Sequence, residues 1–164
     1  MSEYQRHIVL INPEIPVNTG AIGRTALGAD SRLHLIKPLG FSLDSKYVKR
    51  AGLDYWHNVD LVIWENLDDL VKKECIQEDE LFFFSRFSTE SFWKVKWSKR
   101  SFLIFGSETK GIPKDILFKF ANRQYSIPTT DKIRSLNLAT ATGIVLFESL
   151  RETGWQGCQN KEKS

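Results

Sequence analysis

Residues 102–113 read FLIFGSETKGIP, a continuous apolar run followed by a polar turn with two glycines and a proline. The run predicts a buried β-strand, and Pro113, a residue type favoured at the first helical position, predicts that a helix follows the turn. Gly106 would let a ligand approach the backbone closely, and Glu108 could hold a polar group or orient Arg24. A plain strand-to-helix connection explains the same residues.

Similar apolar runs and helix-like stretches alternate along the rest of the chain. The strands are predicted at residues 7–11, 33–36, 60–64, 81–84, 102–105 and 125–128, and the helices at 19–29, 45–52, 67–75 and 136–152. Strands that are apolar on both faces and separated by helices predict an α/β fold, a single mostly parallel sheet with helices on both faces. Ligands of such sheets bind beyond the carboxyl ends of the strands, so the loops that follow strands are where a site is expected.

The loop after the first strand, residues 12–24, reads NPEIPVNTGAIGR. Asn18 or Thr19 is predicted to cap a helix that begins near Gly20, which would place Arg24 about one turn into that helix. The glycines do not follow GxGxxG, and the sequence contains no GxxxxGKS or GxxxxGKT, so neither a dinucleotide site nor a P-loop is indicated. The structural alternative is a well-capped helix with a surface arginine.

The loop after the last predicted strand, residues 126–138, reads SIPTTDKIRSLNL. Ser135 is predicted to cap the long C-terminal helix, and the amide of Asn137 could reach back to the other loops. Simple helix capping would explain both residues. Because all three loops follow strands of one sheet, we expect their polar residues to converge.

The composition is that of an ordinary globular chain, since 41% of the 164 residues are hydrophobic and 26% are charged. The net charge of +3 is compatible with a nucleic-acid partner but does not require one. No apolar run approaches the roughly 20 residues of a membrane span, and the first residues lack a signal-peptide pattern. Cys75 and Cys158 indicate neither a metal site nor a disulfide framework. We expect a cytoplasmic protein with one domain over residues 1–155 and a polar, disordered tail over 156–164.

Taken together, the three loops resemble the SPOUT methyltransferases, in particular the TrmH-like branch of RNA ribose 2′-O-methyltransferases. The residues that carry this resemblance are Asn18-Thr19-Gly20 with Arg24, Phe105-Gly106 with Glu108 and Gly111, and Ile127-Pro128 with Ser135-Leu136-Asn137-Leu138. Three further segments, residues 13–20, 38–41 and 50–55, are similar to the single-domain tRNA wobble-nucleotide 2′-O-methyltransferases. The resemblance covers about residues 7–155, nearly the whole chain.

The resemblance implies the SPOUT fold, whose C-terminal part is threaded as a trefoil knot, and a homodimer with the active site at the subunit interface. It also implies S-adenosylmethionine as methyl donor and S-adenosylhomocysteine as product. Arg24 would activate the substrate beside the cofactor of the other subunit, and Asn18 and Asn137 would hold the geometry. The cofactor pocket would be lined, largely by backbone groups, by Phe84, Gly106, Ile127, Ser135 and Leu136.

The substrate implied by the resemblance is the ribose 2′-hydroxyl of cytidine or uridine 34, the wobble nucleotide, in the anticodon stem-loop of tRNA. A 2′-hydroxyl is a poor nucleophile, so an enzyme must align it with the methyl group and assist the loss of its proton, and no metal is needed. An arginine is always charged and is a poor general base. Arg24 would therefore act with a phosphate or with Glu108, or would mainly position the phosphate and the hydroxyl.

The sequence departs from the family pattern at Ile133, where many members have a serine, and at Arg86-Phe87, where smaller polar residues are expected. These differences bear on the edge of the pocket and on substrate choice. A basic cluster on one predicted helix could contact phosphates, although such a cluster is also typical of a solvated helix face. Its members are Lys46, Lys49 and Arg50.

No role is assigned to the three histidines, because they lack the spacing of metal ligands or a proton relay: His7, His34 and His57. Three tryptophans are expected to pack in the core or in a dimer interface rather than to stack on bases: Trp93, Trp97 and Trp155.

Three other functions are compatible with the sequence. The chain could methylate ribosomal RNA or another tRNA position, although the lack of an added RNA-binding domain favours a small stem-loop target. It could be a non-catalytic RNA-binding protein of the same fold, which the intact polar motif residues argue against. It could be a generic nucleotide-binding α/β protein, which a failure to bind S-adenosylmethionine would favour.

Overall fold

Six parallel strands form one sheet in the computed structural model, which describes residues 5–44 and 46–157. The strands are β1 (Arg6–Ile11), β2 (Arg32–Ile36), β3 (Leu61–Trp64), β4 (Leu81–Phe84), β5 (Ser101–Phe105) and β6 (Gln124–Tyr125). Their order is β3-β2-β1-β5-β4-β6, and every pairing is parallel. The chain runs outward from β1 to β3 on one side and occupies the other side with β4 to β6. The order therefore reverses between β1 and β5, where ligand sites of open α/β sheets form.

Within the described residues the chain also forms five α-helices: α1 (Pro16–Gly28), α2 (Lys46–Gly52), α3 (Leu67–Lys73), α4 (Lys114–Lys119) and α5 (Leu138–Glu152). A 3₁₀ turn, Leu53–Asn58, follows α2. Successive residues of β1 point to opposite faces of the sheet. Ile8 and Leu10 pack with α1 and α5, whereas Val9 and Ile11 pack with α3 and α4. The predicted α/β fold with helices on both faces is confirmed.

A buried polar chain crosses β1, β2 and β3. The indole N–H of Trp64 donates to Nδ1 of His34 over 3.0 Å, and Nε2 of His34 lies 2.9 Å from Nδ1 of His7. Since Nδ1 of His34 accepts, its neutral ring carries the proton on Nε2 and donates to His7. Burial, helped by the charges of His7 and Arg32, lowers the pKa of His34 to about 2. His7 and His34, to which the sequence analysis assigned no role, therefore join β1, β2 and β3 together with Trp64.

Several element ends differ from the prediction. Helix α3 ends at Lys73 rather than Cys75, because Cys75 adopts a left-handed backbone conformation with a φ of 51°. Strand β6 ends at Tyr125 rather than Pro128, since beyond Tyr125 only Ser126 forms an isolated bridge and proline has no N–H to donate. Ser45, predicted to begin α2, and most of the predicted tail lie outside the described residues.

Within residues 5–44 and 46–157, no helix is both long enough and apolar enough to cross a bilayer.

Candidate active site

A cleft of about 900 Å³ lies at the carboxyl ends of β1, β4, β5 and β6, beside the point where the strand order reverses. Small-molecule sites in proteins commonly have volumes of roughly 300–1,000 Å³. The cleft is lined by eight of the nine residues singled out in the sequence: Asn18, Phe84, Gly106, Glu108, Ile127, Ser135, Leu136 and Asn137. The three loops thus converge, as their placement after strands of one sheet led us to expect.

Three loops are joined by a polar chain of side chains. The amide of Asn137 donates to Oδ1 of Asn18 over 3.0 Å, and the amide of Asn18 donates to Oε1 of Glu108 over 3.4 Å. Asn18 is only 7% exposed, so its side chain is held by these two neighbours. These hydrogen bonds fix the loops after β1, β5 and β6 relative to one another. The expectation that the amide of Asn137 reaches back to another loop is confirmed.

Glu108 also holds the entry to α1. Its carboxylate accepts hydrogen bonds from the backbone N–H groups of Glu14 (2.8 Å) and Ile15 (3.0 Å), immediately before the helix. In return, Glu14 accepts from the hydroxyl of Thr109 over 2.7 Å. Hydrogen bonds from Thr109 and then Ser107 hold the pKa of the Glu14 carboxyl below its usual range. Within one chain, the described contacts of Glu108 are with these groups and Asn18, not with Arg24.

Helix α1 begins three residues earlier than predicted, at Pro16, with Ile15 as its N-cap. Pro16 suits the first helical position because it has no N–H that would need a partner there. The N–H groups of Asn18 and Thr19 bond to the carbonyl of Ile15, and no described side chain caps this helix. Asn18 is therefore not a cap, and its side chain faces the cleft. Arg24 lies about two turns into the helix rather than one.

The N-cap of α5 also differs from the prediction. It is Asn137, which accepts from the backbone N–H of Thr140 over 3.2 Å, whereas Ser135 lies in the preceding exposed loop. Asparagine caps with its side-chain oxygen and still has an amide to donate, which serine lacks. One side chain therefore begins α5 and binds Asn18.

Gly106 lies where the turn after β5 folds back on itself. A Cβ atom there would be 2.0 Å from the carbonyl carbon of Gly111 and 2.1 Å from the nitrogen of Ile112. The return is closed by paired backbone hydrogen bonds between Ser107 and Gly111, and Gly111 has a φ of 68°. The protein's own backbone therefore gives a steric reason for the glycine, and the expectation that a ligand approaches the backbone at Gly106 stays a prediction.

The lining of the cleft combines apolar walls with positive charge. Phe84, Ile127 and Leu136 are apolar, and four cationic residues, here called the cationic rim, also line it: Arg86, Lys110, Lys114 and Arg134. Phe87, which differs from the family pattern, is 71% exposed at the mouth of the cleft. The centre of its ring lies 4.4 Å from the guanidinium carbon of Arg86. This arrangement suits a ligand with a flat apolar part and an anionic group. Arg86 lies at the edge of the pocket, as predicted from the sequence. Lys110, Lys114 and Arg134 were not predicted, because these are ordinary surface residues until the loops bring them together.

Arg24 is the one predicted site residue that does not line the cleft of its own chain. It lies exposed on α1, and its guanidinium carbon is 4.9 Å from the centre of the Tyr55 ring in the 3₁₀ turn. The cleft and Arg24 are therefore separate features of one chain.

The residues considered for RNA contact or packing have mixed positions. Lys46 and Arg50 are exposed on α2, while the side chain of Lys49 lies outside the described part. Trp97 and Trp155 pack partly buried against the core, as predicted. Trp93 is 64% exposed and therefore not in the core, and its expected place in a dimer interface stays a prediction. In the described part of the chain, residues 5–44 and 46–157, no group of three or more His, Cys, Asp or Glu side chains could hold a metal ion.

Comparison with known proteins finds similarity along most of the chain. A family model described as the SpoU rRNA Methylase family matches residues 5–147. A protein of Listeria monocytogenes serotype 4b (strain F2365), provisionally named a tRNA (cytidine(34)-2′-O)-methyltransferase, is 46% identical over 149 residues. That match spans 89% of this chain and 87% of the Listeria protein.

Two solved structures share the architecture. One, described as giving structural insights into the 2-OH methylation of C/U34 on tRNA, has a TM-score of 0.85 and 38% identity, covering 93% of this chain and 99% of that one. The other is an AdoMet-bound rRNA methyltransferase from Sinorhizobium meliloti, with a TM-score of 0.80 and 26% identity. It matches 92% of this chain but only 57% of its own length.

Proposed function

Because the chain belongs to the SpoU rRNA methylase family, we propose that it transfers the methyl group of S-adenosylmethionine to the ribose 2′-hydroxyl of nucleotide 34, the wobble cytidine or uridine of tRNA. The observation that carries this proposal is the cleft, in which Asn18, Glu108 and Asn137 connect three loops. The choice of substrate is supported by the names of the Listeria relative and of the C/U34 structure, which align with nearly the whole chain.

The lining of the cleft fits S-adenosylmethionine. The cofactor supplies an electrophilic methyl group on a sulfonium centre. Phe84, Ile127 and Leu136 offer apolar walls to an adenine ring, and the backbone groups of the loops around Gly106 and Ser135 offer hydrogen-bond partners to its edge. The cationic rim suits the carboxylate of the methionine part. The product under this proposal is S-adenosylhomocysteine.

Arg24 acts in this proposal as a cation that holds the substrate, not as a base. A guanidinium remains charged at all physiological pH values and presents five N–H donors to phosphate or hydroxyl oxygens. By binding the phosphate and the 2′-oxygen it aligns the nucleophile and stabilises the negative charge that develops on this oxygen as its proton passes to the bound phosphate or to water. Glu108 already accepts from two backbone N–H groups and Asn18, which favours a supporting role for it.

The proposal requires a homodimer, in which Arg24 of one protomer completes the cleft of its partner. Two observations support this. Arg24 is exposed and does not line its own cleft. Helices α1 and α5, which pack against each other, also expose large apolar side chains that a second copy would cover: Val17, Ile144 and Phe147.

The finer architecture belongs to the same proposal. We propose that residues 1–155 form one domain whose C-terminal part is threaded as a trefoil knot, followed by a polar tail over residues 156–164. The resemblance of the three loop motifs to the SPOUT methyltransferases supports the knot. The enzyme would act in the cytoplasm on the anticodon stem-loop.

The first test is methyl transfer from labelled S-adenosylmethionine to total unmodified tRNA, followed by digestion and mass spectrometry of the labelled nucleoside. We expect 2′-O-methylated cytidine or uridine from position 34. The Arg24→Ala variant should lose on the order of 10²–10³-fold in turnover, because it lacks the transition-state donor, while still binding the cofactor in calorimetry.

Arg32→Ala is the matched control, since Arg32 lies at the opposite, amino-terminal end of the sheet. It should retain transfer. Near-normal turnover of Arg24→Ala would rule out the role given to Arg24. Cofactor binding without label on any tRNA would redirect the search to ribosomal RNA, which the family description names. Absence of cofactor binding would overturn the enzyme assignment itself.

A further inference from the structure

Tyr55 contacts Arg24 across the surface between the 3₁₀ turn and α1. The guanidinium carbon lies 4.9 Å from the ring centre, within the range of a cation–π interaction. Tyr55 is 42% exposed, so the ring and the cation lie together at the surface rather than in the core. Tyr55 ends the 50–55 segment that was singled out in the sequence and that the cleft leaves without a role.

This contact leaves the polar groups of Arg24 available. Other arginines use their N–H donors within the chain, since Arg100 forms a salt bridge with Glu80 and Arg151 forms one with Glu148. Among the described residues Arg24 has no such salt bridge or hydrogen bond, and the ring of Tyr55 is its side-chain partner. An aromatic face attracts the plane of a guanidinium without consuming its N–H donors. Arg24 is therefore held and still free to bind an anion.

The ring is itself held against the helix by its neighbour. Trp56 packs on Gly23, the residue immediately before Arg24, and a Cβ atom at position 23 would lie 2.6 Å from Cζ3 of the indole. Val59 approaches the same point at 3.4 Å. The absence of a side chain at Gly23 thus lets the 3₁₀ turn sit directly on α1 and sets the position of Tyr55 beside Arg24.

We propose that Tyr55 is a positioning residue for methyl transfer, whose ring holds the Arg24 guanidinium in the orientation that meets the RNA phosphate and 2′-oxygen. The inference rests on the proposed function of Arg24. Without the ring, Arg24 would sample several rotamers, and fewer encounters with bound RNA would be productive. We expect the loss in kcat rather than in cofactor binding, because Tyr55 does not line the cleft.

The test compares Tyr55→Leu and Tyr55→Phe with wild type and Arg24→Ala, using tRNA as substrate. We expect Tyr55→Leu to lower kcat about 3- to 30-fold, the range of a cation–π contact in a partly desolvated site. The dissociation constant for S-adenosylmethionine and the Tm should stay unchanged. Tyr55→Phe should restore kcat, because it keeps the ring face and removes only the hydroxyl.

Phe118→Leu is the matched control, an aromatic-to-leucine change at an exposed position of α4, and it should leave kcat unchanged. Wild-type kcat in Tyr55→Leu, with Arg24→Ala inactive, would overturn the positioning role and leave the proposed function standing. Equal losses in Tyr55→Phe and Tyr55→Leu would also overturn it, since the hydroxyl would then be the active group. An active Arg24→Ala variant would instead remove the premise about Arg24.

Discussion

At the scale of single residues, Gly106 has the least room for change in the site. The backbone of Gly111 and Ile112 occupies the position of a Cβ atom, and backbone cannot move aside by a change of rotamer. The turn that carries Glu108 can therefore keep this shape only because Gly106, two residues earlier, has no side chain. This steric requirement is sufficient by itself to explain the glycine.

Gly106→Ala should lower the free energy of unfolding by about 2–3 kcal/mol, as overpacking does, and should weaken cofactor binding because the turn lines the cleft. Urea unfolding and calorimetric titration with S-adenosylmethionine measure the two effects. Gly28→Ala is the control, since nothing lies within 4 Å of its added Cβ and it ends α1. It should be neutral or stabilising by up to about 1 kcal/mol. Wild-type unfolding of Gly106→Ala would contradict the packing argument.

At the scale of secondary structure elements, the His7–His34–Trp64 chain joins β1, β2 and β3 in a way that depends on pH. His34 can accept from Trp64 only while its Nδ1 is unprotonated. Burial, followed by the charges of His7 and Arg32, lowers its pKa to about 2 when folded, whereas an unfolded histidine titrates near 6.5. Between these pH values the unfolded state binds the extra proton, so stability falls as the pH falls below about 6.5.

The free energy of unfolding should therefore decrease by about 1.4 kcal/mol from His34 alone between pH 7.5 and pH 5.5. Urea unfolding at a series of pH values measures this slope. His34→Gln should flatten it, because glutamine does not titrate, while the exposed His57→Gln should leave it unchanged. The same slope in His34→Gln and wild type would show that another group causes the acid sensitivity.

At the scale of the whole molecule, the separation of Arg24 from its own cleft makes the proposed dimer testable through its active sites. A symmetric dimer contains two copies of each surface, so each Arg24 can serve the partner's cleft. A mixed dimer can then combine a protomer that lacks Arg24 with one that lacks a working cofactor site. Whether activity appears depends on which chain supplies Arg24.

We expect mixed dimers of Arg24→Ala and Leu136→Glu, purified through two different tags, to regain about half the turnover of a wild-type dimer, since one complete site forms per dimer. Leu136→Glu should be inactive alone because it adds a carboxylate to an apolar wall of the cleft. Light scattering verifies the dimeric mass. Inactive mixed dimers of the correct mass would mean that Arg24 acts within its own chain, and a monomeric mass would remove the dimer.

Much of the architecture was predictable because it depends on local pattern. The continuous apolar runs indicated strands buried on both faces, and their alternation with helices predicted the parallel sheet, both of which the structure has. The polar residues after the strands predicted where the cleft lies, since parallel strands share one carboxyl edge. Helix starts were less predictable, because good capping residues lie close to the observed starts. Asn18 and Thr19 follow the start of α1 at Pro16, and Ser135 precedes Asn137, the N-cap of α5.

The sequence by itself determined the class of fold, the edge of the sheet that carries the site, and the family resemblance, all of which follow from residue type and short-range order. Only the tertiary structure decided which distant groups meet: Asn137 with Asn18, 119 positions apart, His7 with His34, and Arg24 with Tyr55. It also decided that Arg24 lies away from its own cleft. The physical reason is that hydrophobic periodicity sets which face of an element is buried, whereas the register and packing of distant elements set which polar side chains come within hydrogen-bond distance.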